Sequence, residues 1–205
     1  MLVITYLHIE WRNKNGKLTA REKVMEAATL LFGEKGYTAT TIREVAEKAG
    51  VSELTIFRNF KNKENLFRES IILRTTPVAL LEEIEEQFTG DLHKDLTKVA
   101  ETYIQTNLPK LNYIWAALIE SRQNSEMKAL LHELNSHLVN HLERYLKQLG
   151  EKGHISNCNY RLIANMFYGQ LFLYIMNVSI SEEEIQLEEY IETCVNLFMN
   201  GILNK

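Results

Sequence analysis

The sequence is poor in residues that interrupt helices and lacks long apolar runs. Only two prolines occur among 205 residues, while hydrophobic residues make up 45%. No run of 18 or more apolar residues is present, so we expect no transmembrane helix and no membrane partner. Residues 2–9 are apolar but lack a basic start and a small-residue cleavage site, which argues against a signal peptide. This composition favours an all-helical protein.

Cysteines and catalytic motifs are equally scarce. Cys158 and Cys194 are the only cysteines, and each stands alone in a helical pattern. We expect both to be buried thiols in a reducing cytoplasm. The sequence contains no Walker loop, no GxSxG elbow and no CxxC pair. We therefore expect no catalytic residues, no cofactor and no enzymatic activity.

The histidines come closest to a catalytic pattern. His132, Glu133 and His137 resemble the HExxH motif of zinc proteases, but the spacing is one residue too long. Five residues rotate a helix by about 140° away from alignment, so the two imidazoles cannot share a metal. An enzyme with a metal at His137 and His141 is an alternative that metal analysis would decide. Histidines on a solvated helix face are the simpler interpretation, and we expect no metal.

The charge is distributed unevenly along the chain. The formal net charge is −4, which argues against a uniformly basic protein that coats DNA. Residues 1–65 nevertheless hold 11 Lys and Arg against 8 Asp and Glu, whereas residues 66–205 hold 12 against 19. The first third is therefore the part suited to contacts with a phosphate backbone.

Residues 40–60 predict two short helices joined by a tight turn. Thr41 and Glu44 form a capping box that starts the first helix, and Gly50 stands where that helix should end. Its apolar positions recur at helical spacing and are Ile42, Val45, Ala46 and Ala49. This arrangement is the first half of a helix-turn-helix.

The second helix is expected to run from Glu53 to Phe60, with a cap at Ser52 and with Ile56 and Phe60 on its inner face. Such a helix fits the major groove of DNA and reads base edges from its N-terminal half. The alternative from this pattern alone is a helical hairpin with a solvated outer face.

The residues after Phe60 favour the DNA-binding interpretation. Asn62 can cap a further helix, and it stands between Lys61 and Lys63. A helix N-terminus flanked by two lysines predicts an anion site directed at a phosphate.

The stretch GEKGYTATTIREVAEKAGVSELTIFRNFKNKENLF resembles the DNA-binding domain of the TetR family of bacterial transcriptional regulators. The resemblance runs from about Arg21 to Phe67 and includes the helix end at Gly36. It implies a homodimeric regulator, most often a repressor, that binds a double-stranded DNA operator and responds to a small-molecule effector. Leu54 departs from the family, which often has glycine or another small residue there, so its base preference cannot be carried over.

The position of each residue in the motif implies its role. Thr41, Phe57 and Lys63 are expected at phosphates and sugars. Arg43, Glu53, Leu54, Thr55, Arg58 and Asn59 are expected at bases. The complete implied DNA-binding set is Thr40, Thr41, Arg43, Ser52, Glu53, Leu54, Thr55, Phe57, Arg58, Asn59, Lys61 and Lys63.

We expect three segments in the chain. Residues 1–18 are an N-terminal tail, which is either frayed or a basic arm through Arg12, Lys14 and Lys17. Residues 19–66 are the three-helix DNA-binding domain, which opens with a capping box at Thr19 and Glu22. Residues 67–205 are a helical bundle for ligand binding and dimerisation.

The rest of the chain reads as helices with short breaks. Their expected spans are Asn62 to about Thr76, Pro77–Phe88, Asp91–Asn107, Lys110–Gln123, Ser125–Leu149, Asn159–Asn177, and a last one from near Ser181 to Gly201. The final two are too apolar for one monomer to bury every face, which predicts a four-helix dimer interface. A thick monomer core is the alternative.

The middle helices mix aromatic residues with isolated polar ones, as ligand pockets do. The resemblance implies a pocket here, and our candidates for its lining are Tyr103, Trp115, Arg122, Phe167 and Tyr168. The cations of the middle helices are scattered rather than grouped, so we expect an apolar or amphipathic effector. Arg122 would either meet a carboxylate of the ligand or pair with a surface acid. A DNA-binding architectural protein without a ligand is the competing hypothesis.

Overall fold

The computed structural model describes residues 18–74, 84–180 and 185–203, and these residues are almost entirely helical. Their helices are α1 (Ala20–Ala39), α2 (Ile42–Ala49), α3 (Glu53–Phe60), α4 (Lys63–Arg74), α5 (Leu92–Asn107), α6 (Leu111–Glu120), α7 (Ser125–Glu151), α8 (Tyr160–Ile180) and α9 (Leu187–Ile202), with a 3-10 turn at Leu108–Lys110. The only β-type pairing in this part of the chain is one bridge between Ile155 and Leu203. The prediction of an all-α fold is confirmed.

The described residues group into two compact units. Residues 18–74 and 112–131 form the first, and residues 84–111, 132–180 and 185–203 form the second. Helix α7 contributes its first turns to one unit and its remainder to the other. These two units are defined by contacts within the chain and not by function. The functional boundary expected between residues 66 and 67 therefore stays a prediction.

Helix α1 begins as its sequence predicts. The Thr19 hydroxyl accepts a hydrogen bond from the Glu22 N–H, and the Glu22 carboxylate accepts one from the Thr19 N–H. The regular helix ends at Gly36, whose φ of 78° is costly for residues with a side chain. Gly33, three residues earlier, lies inside the helix.

Aromatic rings join α1, α4 and α6 within the first unit. The Phe67 ring lies 4.7 Å from Phe32, 4.9 Å from Tyr37 and 5.6 Å from Tyr113, measured between ring centroids. The Tyr113 hydroxyl also hydrogen-bonds that of buried Ser70. Helix α6 therefore packs directly on α1 and α4, the helices on either side of the helix-turn-helix.

The core of the second unit is formed by α5, α7, α8 and α9. Large apolar side chains from all four are almost fully buried, among them Leu96, Leu142, Leu146, Phe167 and Val195. Phe167 and Phe198 pack edge to face at 4.9 Å between centroids. None of the described helices is long and apolar enough to span a membrane.

A buried carboxylate ties the loop before α5 to α7. Asp95 is only 3% exposed. It accepts hydrogen bonds from the Thr89 N–H at 2.8 Å, the Gly90 N–H at 2.9 Å and the Tyr145 hydroxyl at 2.5 Å. These donors compensate for the cost of removing the charge from water. The network fixes this loop in place on the second unit.

Helices α8 and α9 retain the apolar exposure that the sequence predicted. Large hydrophobic side chains on them are between 45% and 75% exposed in the single chain, and these are Leu162, Met166, Leu173, Val178, Ile180 and Leu197. The core therefore leaves part of both helices uncovered.

Three expectations need correction. The last helix begins at Leu187 rather than near Ser181, because Gln186 is extended and the Ile185 carbonyl is bonded by the Tyr174 hydroxyl. Cys194 is buried, but Cys158 is only partly so. His141 does not lie on a solvated face, since it is 5% exposed with its Nε2 2.7 Å from the Glu85 carboxylate.

Some predicted features lie outside the described residues. They are the basic arm of the N-terminal tail and most of the helix expected over residues 77–88, of which residues 84–86 are helical. Where residues are described, the boundaries of the other predicted helices agree to within about three residues, as expected for helix ends.

Candidate nucleic-acid interface

The start of α2 is fixed by three charged or polar side chains. Thr41 and Glu44 form the predicted capping box, with the Glu44 N–H 3.2 Å from the Thr41 hydroxyl and the Thr41 N–H 2.8 Å from the Glu44 carboxylate. The second carboxylate oxygen of Glu44 lies 2.6 Å from the Lys35 ammonium. The bond from Lys35, and then those from Thr41, lower the pKa of Glu44 to about 2. Glu44 therefore carries its charge throughout the physiological range.

The turn between α2 and α3 follows from one glycine. Gly50 takes a left-handed conformation with φ 66° and ψ 37°. Its N–H bonds the Glu47 carbonyl at 3.3 Å, and the Val51 N–H bonds the Ala46 carbonyl at 3.0 Å. This pair of bonds is the Schellman arrangement, which satisfies the last carbonyls of α2 and reverses the chain.

Helix α3 has a buried face and an exposed face. Ser52 caps it by accepting the Thr55 N–H at 3.2 Å. Ile56 and Phe60 are 0% and 1% exposed, which confirms the predicted inner face. The residues predicted to contact DNA on α3 and beside it are exposed or half-buried, and these are Ser52, Glu53, Leu54, Thr55, Phe57, Arg58, Asn59 and Lys61.

Several polar groups on the outer face already have partners within the helices. The Arg43 guanidinium lies 3.0 Å from the Glu47 carboxylate. The Thr55 hydroxyl lies 2.9 Å from that of Ser52, and the Asn59 amide donates to the Thr55 carbonyl at 2.7 Å. Arg58 is exposed and makes no ion pair with any residue the structure describes. It is the outer-face cation of α3 that is available to a ligand.

The end of α3 holds an unusual backbone conformation. Lys61 has φ 67° and ψ −49°, and it is the one non-glycine residue with positive φ among those described. The Asn62 N–H bonds the Phe60 carbonyl at 2.8 Å across it, which makes a γ-turn. Asn62 then caps α4 by accepting the Asn65 N–H at 2.7 Å. The turn exposes the Lys61 side chain at the end of the reading helix.

Lys63 is held against the end of α1. Its ammonium lies 4.3 Å from the centre of the Tyr37 ring and 3.3 Å from the Thr38 carbonyl. Partial burial lowers its pKa, against the opposing effect of Glu120 and Glu44. Tyr37 was not predicted to support this cation; its position directly after Gly36, the predicted helix end, was the available signal.

Thr40 lies inside the domain. Its side chain is 1% exposed, and its hydroxyl donates to the Gly36 carbonyl at 2.8 Å and the Leu31 carbonyl at 3.1 Å. It therefore connects α1 to the start of α2, where neighbouring Thr41 and Arg43 are exposed.

Comparison with known proteins identifies this arrangement. The family described as bacterial regulatory proteins, tetR family, matches residues 24–70. YvkB of Bacillus subtilis, named as an uncharacterised HTH-type transcriptional regulator, is 33% identical over 184 residues, which span 88% of this chain and 96% of that protein. The chain belongs to the TetR family.

Two further similar proteins extend the comparison. The negative regulator of the icaADBC biofilm operon of Staphylococcus epidermidis is 26% identical over 132 residues, covering 61% of this chain and 68% of that protein. The structure of FadR from Bacillus subtilis in complex with stearoyl-CoA matches with a TM-score of 0.74 at 21% identity, covering 87% of this chain and 97% of the other. This TetR-family chain is a helix-turn-helix transcriptional regulator, and its family consists of DNA-binding proteins rather than enzymes.

The ligand candidates of this TetR-family regulator are divided between its two units. Tyr103, Phe167 and Tyr168 lie in the second unit, where the rings of Tyr103 and Tyr168 are 5.3 Å apart. Trp115, which is 40% exposed, and exposed Arg122 lie in the first. The structure thus brings three of the five together.

Tyr168 has the most unusual environment of these residues. It is 4% exposed, and its hydroxyl has no hydrogen-bond partner among the residues that the structure describes. Burial, with a smaller effect of Tyr103, raises the pKa of Tyr168, and burial alone raises that of Tyr103 to about 12. Both phenols are therefore neutral hydrogen-bond donors at physiological pH.

Proposed function

We propose that this chain is a homodimeric repressor that binds a palindromic operator and leaves it when a small apolar or amphipathic effector binds. The observation that carries the proposal is that α3 has a buried inner face and an exposed outer face. The helix also follows a fixed turn and begins at a capped N-terminus. A helix of this kind enters the major groove and reads bases there. The repressor role is supported by the relative named as a negative regulator.

The proposed DNA contacts divide into two groups. Thr41, Phe57, Lys61 and Lys63 meet phosphates and sugars, where exposed Lys61, half-buried Lys63 and the N-terminus of α4 favour anions. Arg43, Glu53, Leu54, Thr55, Arg58 and Asn59 face the bases. Several of these polar groups are bonded within the free protein, so binding exchanges one partner for another. Thr40 and Ser52 support the interface through the starts of α2 and α3.

Dimerisation is supported by the uncovered apolar side chains of α8 and α9. Such patches mark contact surfaces in soluble proteins, and two copies of this helix pair form a four-helix interface. The two reading helices of a dimer then lie about 34–36 Å apart, or somewhat farther if the dimer is splayed, so the operator is a palindrome.

The effector class follows from the second unit. Tyr168 supplies a buried donor without a partner, and the surrounding side chains are mostly aromatic or aliphatic. A ligand acceptor would satisfy this hydroxyl, since an unpaired buried polar group costs about 1–3 kcal/mol. The structurally similar FadR from Bacillus subtilis was solved with stearoyl-CoA, a molecule with a long apolar chain, which supports the same class.

The mechanism is a shift between two conformations. An effector that binds better to the form with wrongly spaced reading helices lowers DNA affinity by its differential binding energy, typically about 1–3 kcal/mol. A thermal-shift screen of lipophilic compounds, followed by displacement from labelled operator, tests this. A ligand at a hundredfold excess over its Kd stabilises the native protein by about 2.7 kcal/mol. Release by a charged metabolite, with lipophilic compounds binding but not releasing DNA, would contradict the proposal.

The two groups of DNA contacts can be separated by substitution. Lys63→Ala should weaken all sequences alike and lower the salt slope of binding by about one, because one phosphate contact is lost. Arg58→Ala should instead relax the preference at one base pair, since arginine commonly reads guanine through two hydrogen bonds. Affinities for operator and random duplexes over a salt series measure both effects. Lys147→Ala, an exposed lysine of α7, is the control and should change neither.

A further inference from the structure

The outer face of α3 carries exposed apolar side chains at the position where bases would be read. Leu54 is 57% exposed and Phe57 is 46% exposed. They are three residues apart and therefore share one face of the helix. The core does not use them, because Ile56 and Phe60 already close the inner face. Their exposure has to be explained by what α3 contacts rather than by how it packs.

The polar neighbours of Leu54 are hydrogen-bonded to one another. The Thr55 hydroxyl is shared with Ser52, and the Asn59 amide is bonded to the Thr55 carbonyl. Leu54 is the second residue of α3 and has no polar side-chain atom. The N-terminal end of the reading helix thus presents a branched aliphatic group to solvent.

We infer that Leu54 is a specificity-determining residue that contacts the C5 methyl group of a thymine in the major groove. The inference rests on the proposed DNA-binding function of α3. Among the base edges in that groove, only thymine offers an apolar group, while the others present hydrogen-bond donors and acceptors. A leucine set against those polar edges removes them from water without supplying a partner, which is unfavourable. Leu54 therefore selects thymine both by attraction and by exclusion.

Phe57 provides a matched control on the same helix. It is also apolar and exposed, but it lies nearly one turn farther from the N-terminus of α3. Of the two exposed apolar side chains, Leu54 is the one at the N-terminal end of α3, the end from which recognition helices contact base edges most. Phe57 accordingly meets the sugar-phosphate backbone, where it contributes affinity without sequence preference.

The test uses the full chain and a single missing methyl group. An operator is first enriched from random duplex DNA with the wild-type protein. Each thymine of the enriched operator is then replaced in turn, in both half-sites, by uracil, which lacks only the C5 methyl. Affinities of the wild type, Leu54→Ala and Phe57→Ala are measured by fluorescence anisotropy at one salt concentration. Circular dichroism checks that both variants keep their helices, as expected because alanine favours the helix.

The expected result is one symmetric position at which uracil weakens wild-type binding by about fourfold per half-site, the ratio given by about 0.8 kcal/mol for one buried methyl-sized group. Leu54→Ala should bind the thymine and uracil forms equally, whereas Phe57→Ala should bind more weakly but keep the wild-type ratio. With a C·G pair at that position, 5-methylcytosine should bind the wild type more tightly than cytosine.

Three results would overturn the assignment. The first is equal wild-type affinity for thymine and uracil at every position, and the second is an unchanged ratio in Leu54→Ala. The third is loss of the ratio in Phe57→Ala alone, which would give the contact to Phe57. Failure of the proposed function is distinguishable, because the wild type would then enrich no duplex at all and the inference would fall with it.

Discussion

The helix-turn-helix and the pair α8 and α9 are held by different kinds of interaction. In α2 and α3 the ends of each helix are bonded by residues three or four positions away, as at Thr41 and Glu44. In α8 and α9 the bonds cross between helices, as from the Tyr190 hydroxyl to the Gln170 carbonyl and from the Cys194 thiol to the Gln170 side chain. In the first region the exposed outer face of α3 is the proposed DNA-reading surface, and in the second α8 and α9 leave apolar side chains uncovered. Local hydrogen bonds therefore fix the helix-turn-helix, while packing between helices builds the bundle.

The largest expected effect separates the two faces of α3. Phe60→Ala should lower the free energy of unfolding by about 3–5 kcal/mol, because it removes a fully buried ring. Phe57→Ala removes the same atoms from the exposed face of the same helix and should change stability by no more than about 0.5 kcal/mol. Urea denaturation of both variants measures the difference. Equal losses would mean that Phe57 also belongs to the core.

The sequence predicted the helix-turn-helix well because its signals are short-range. Both capping boxes, the left-handed Gly50 and the caps at Ser52 and Asn62 are confirmed. Each involves side chains and backbone groups within one turn of a helix, so residue type and spacing are enough to identify it.

The contacts that escaped prediction join distant parts of the chain. The Asp95 carboxylate and the Tyr145 hydroxyl are 50 residues apart, and the Ser70 and Tyr113 hydroxyls are 43 apart. His141 was expected to be solvated because nothing near it in the sequence indicates Glu85. Such pairs depend on how helices pack, which periodicity alone does not specify. For α8 and α9 the sequence predicted an excess of apolar side chains but not the residues that pack against them.

The second prediction concerns the uncovered apolar side chains. Leu173→Glu should raise the dimer dissociation constant by about 100-fold, because an unpaired carboxylate in the interface costs on the order of 3 kcal/mol. The folded monomer should be retained, since Leu173 is 54% exposed in the single chain. Sedimentation velocity over a concentration series measures association. Leu30→Glu, at an exposed leucine of α1, is the control; a wild-type chain that sediments as a monomer at all concentrations would contradict the proposed interface.

The smallest expected effect tests whether local hydrogen bonds and ion pairs contribute to the stability of the first unit. The Lys35 ammonium, followed by Thr41, holds the pKa of Glu44 at about 2 against an ordinary value of 4.5. Folding therefore favours the charged carboxylate, and its contribution to stability is complete above about pH 4.5 and is lost as the pH falls towards 2. Glutamine at this position keeps the size and one acceptor of glutamate but does not titrate. Thermal melting of the wild type should consequently fall more steeply than that of Glu44→Gln between these two pH values, and the two curves should converge at the acid end. Because Glu44 and Lys35 are near the surface, added salt should reduce the difference.

Parallel melting curves over this range at low salt would contradict this prediction. They would show that the capping box of α2 fixes the helix start by geometry, with no measurable electrostatic contribution to stability. The stabilisation of the first unit by local bonds would then rest on Gly50 and Ser52 alone.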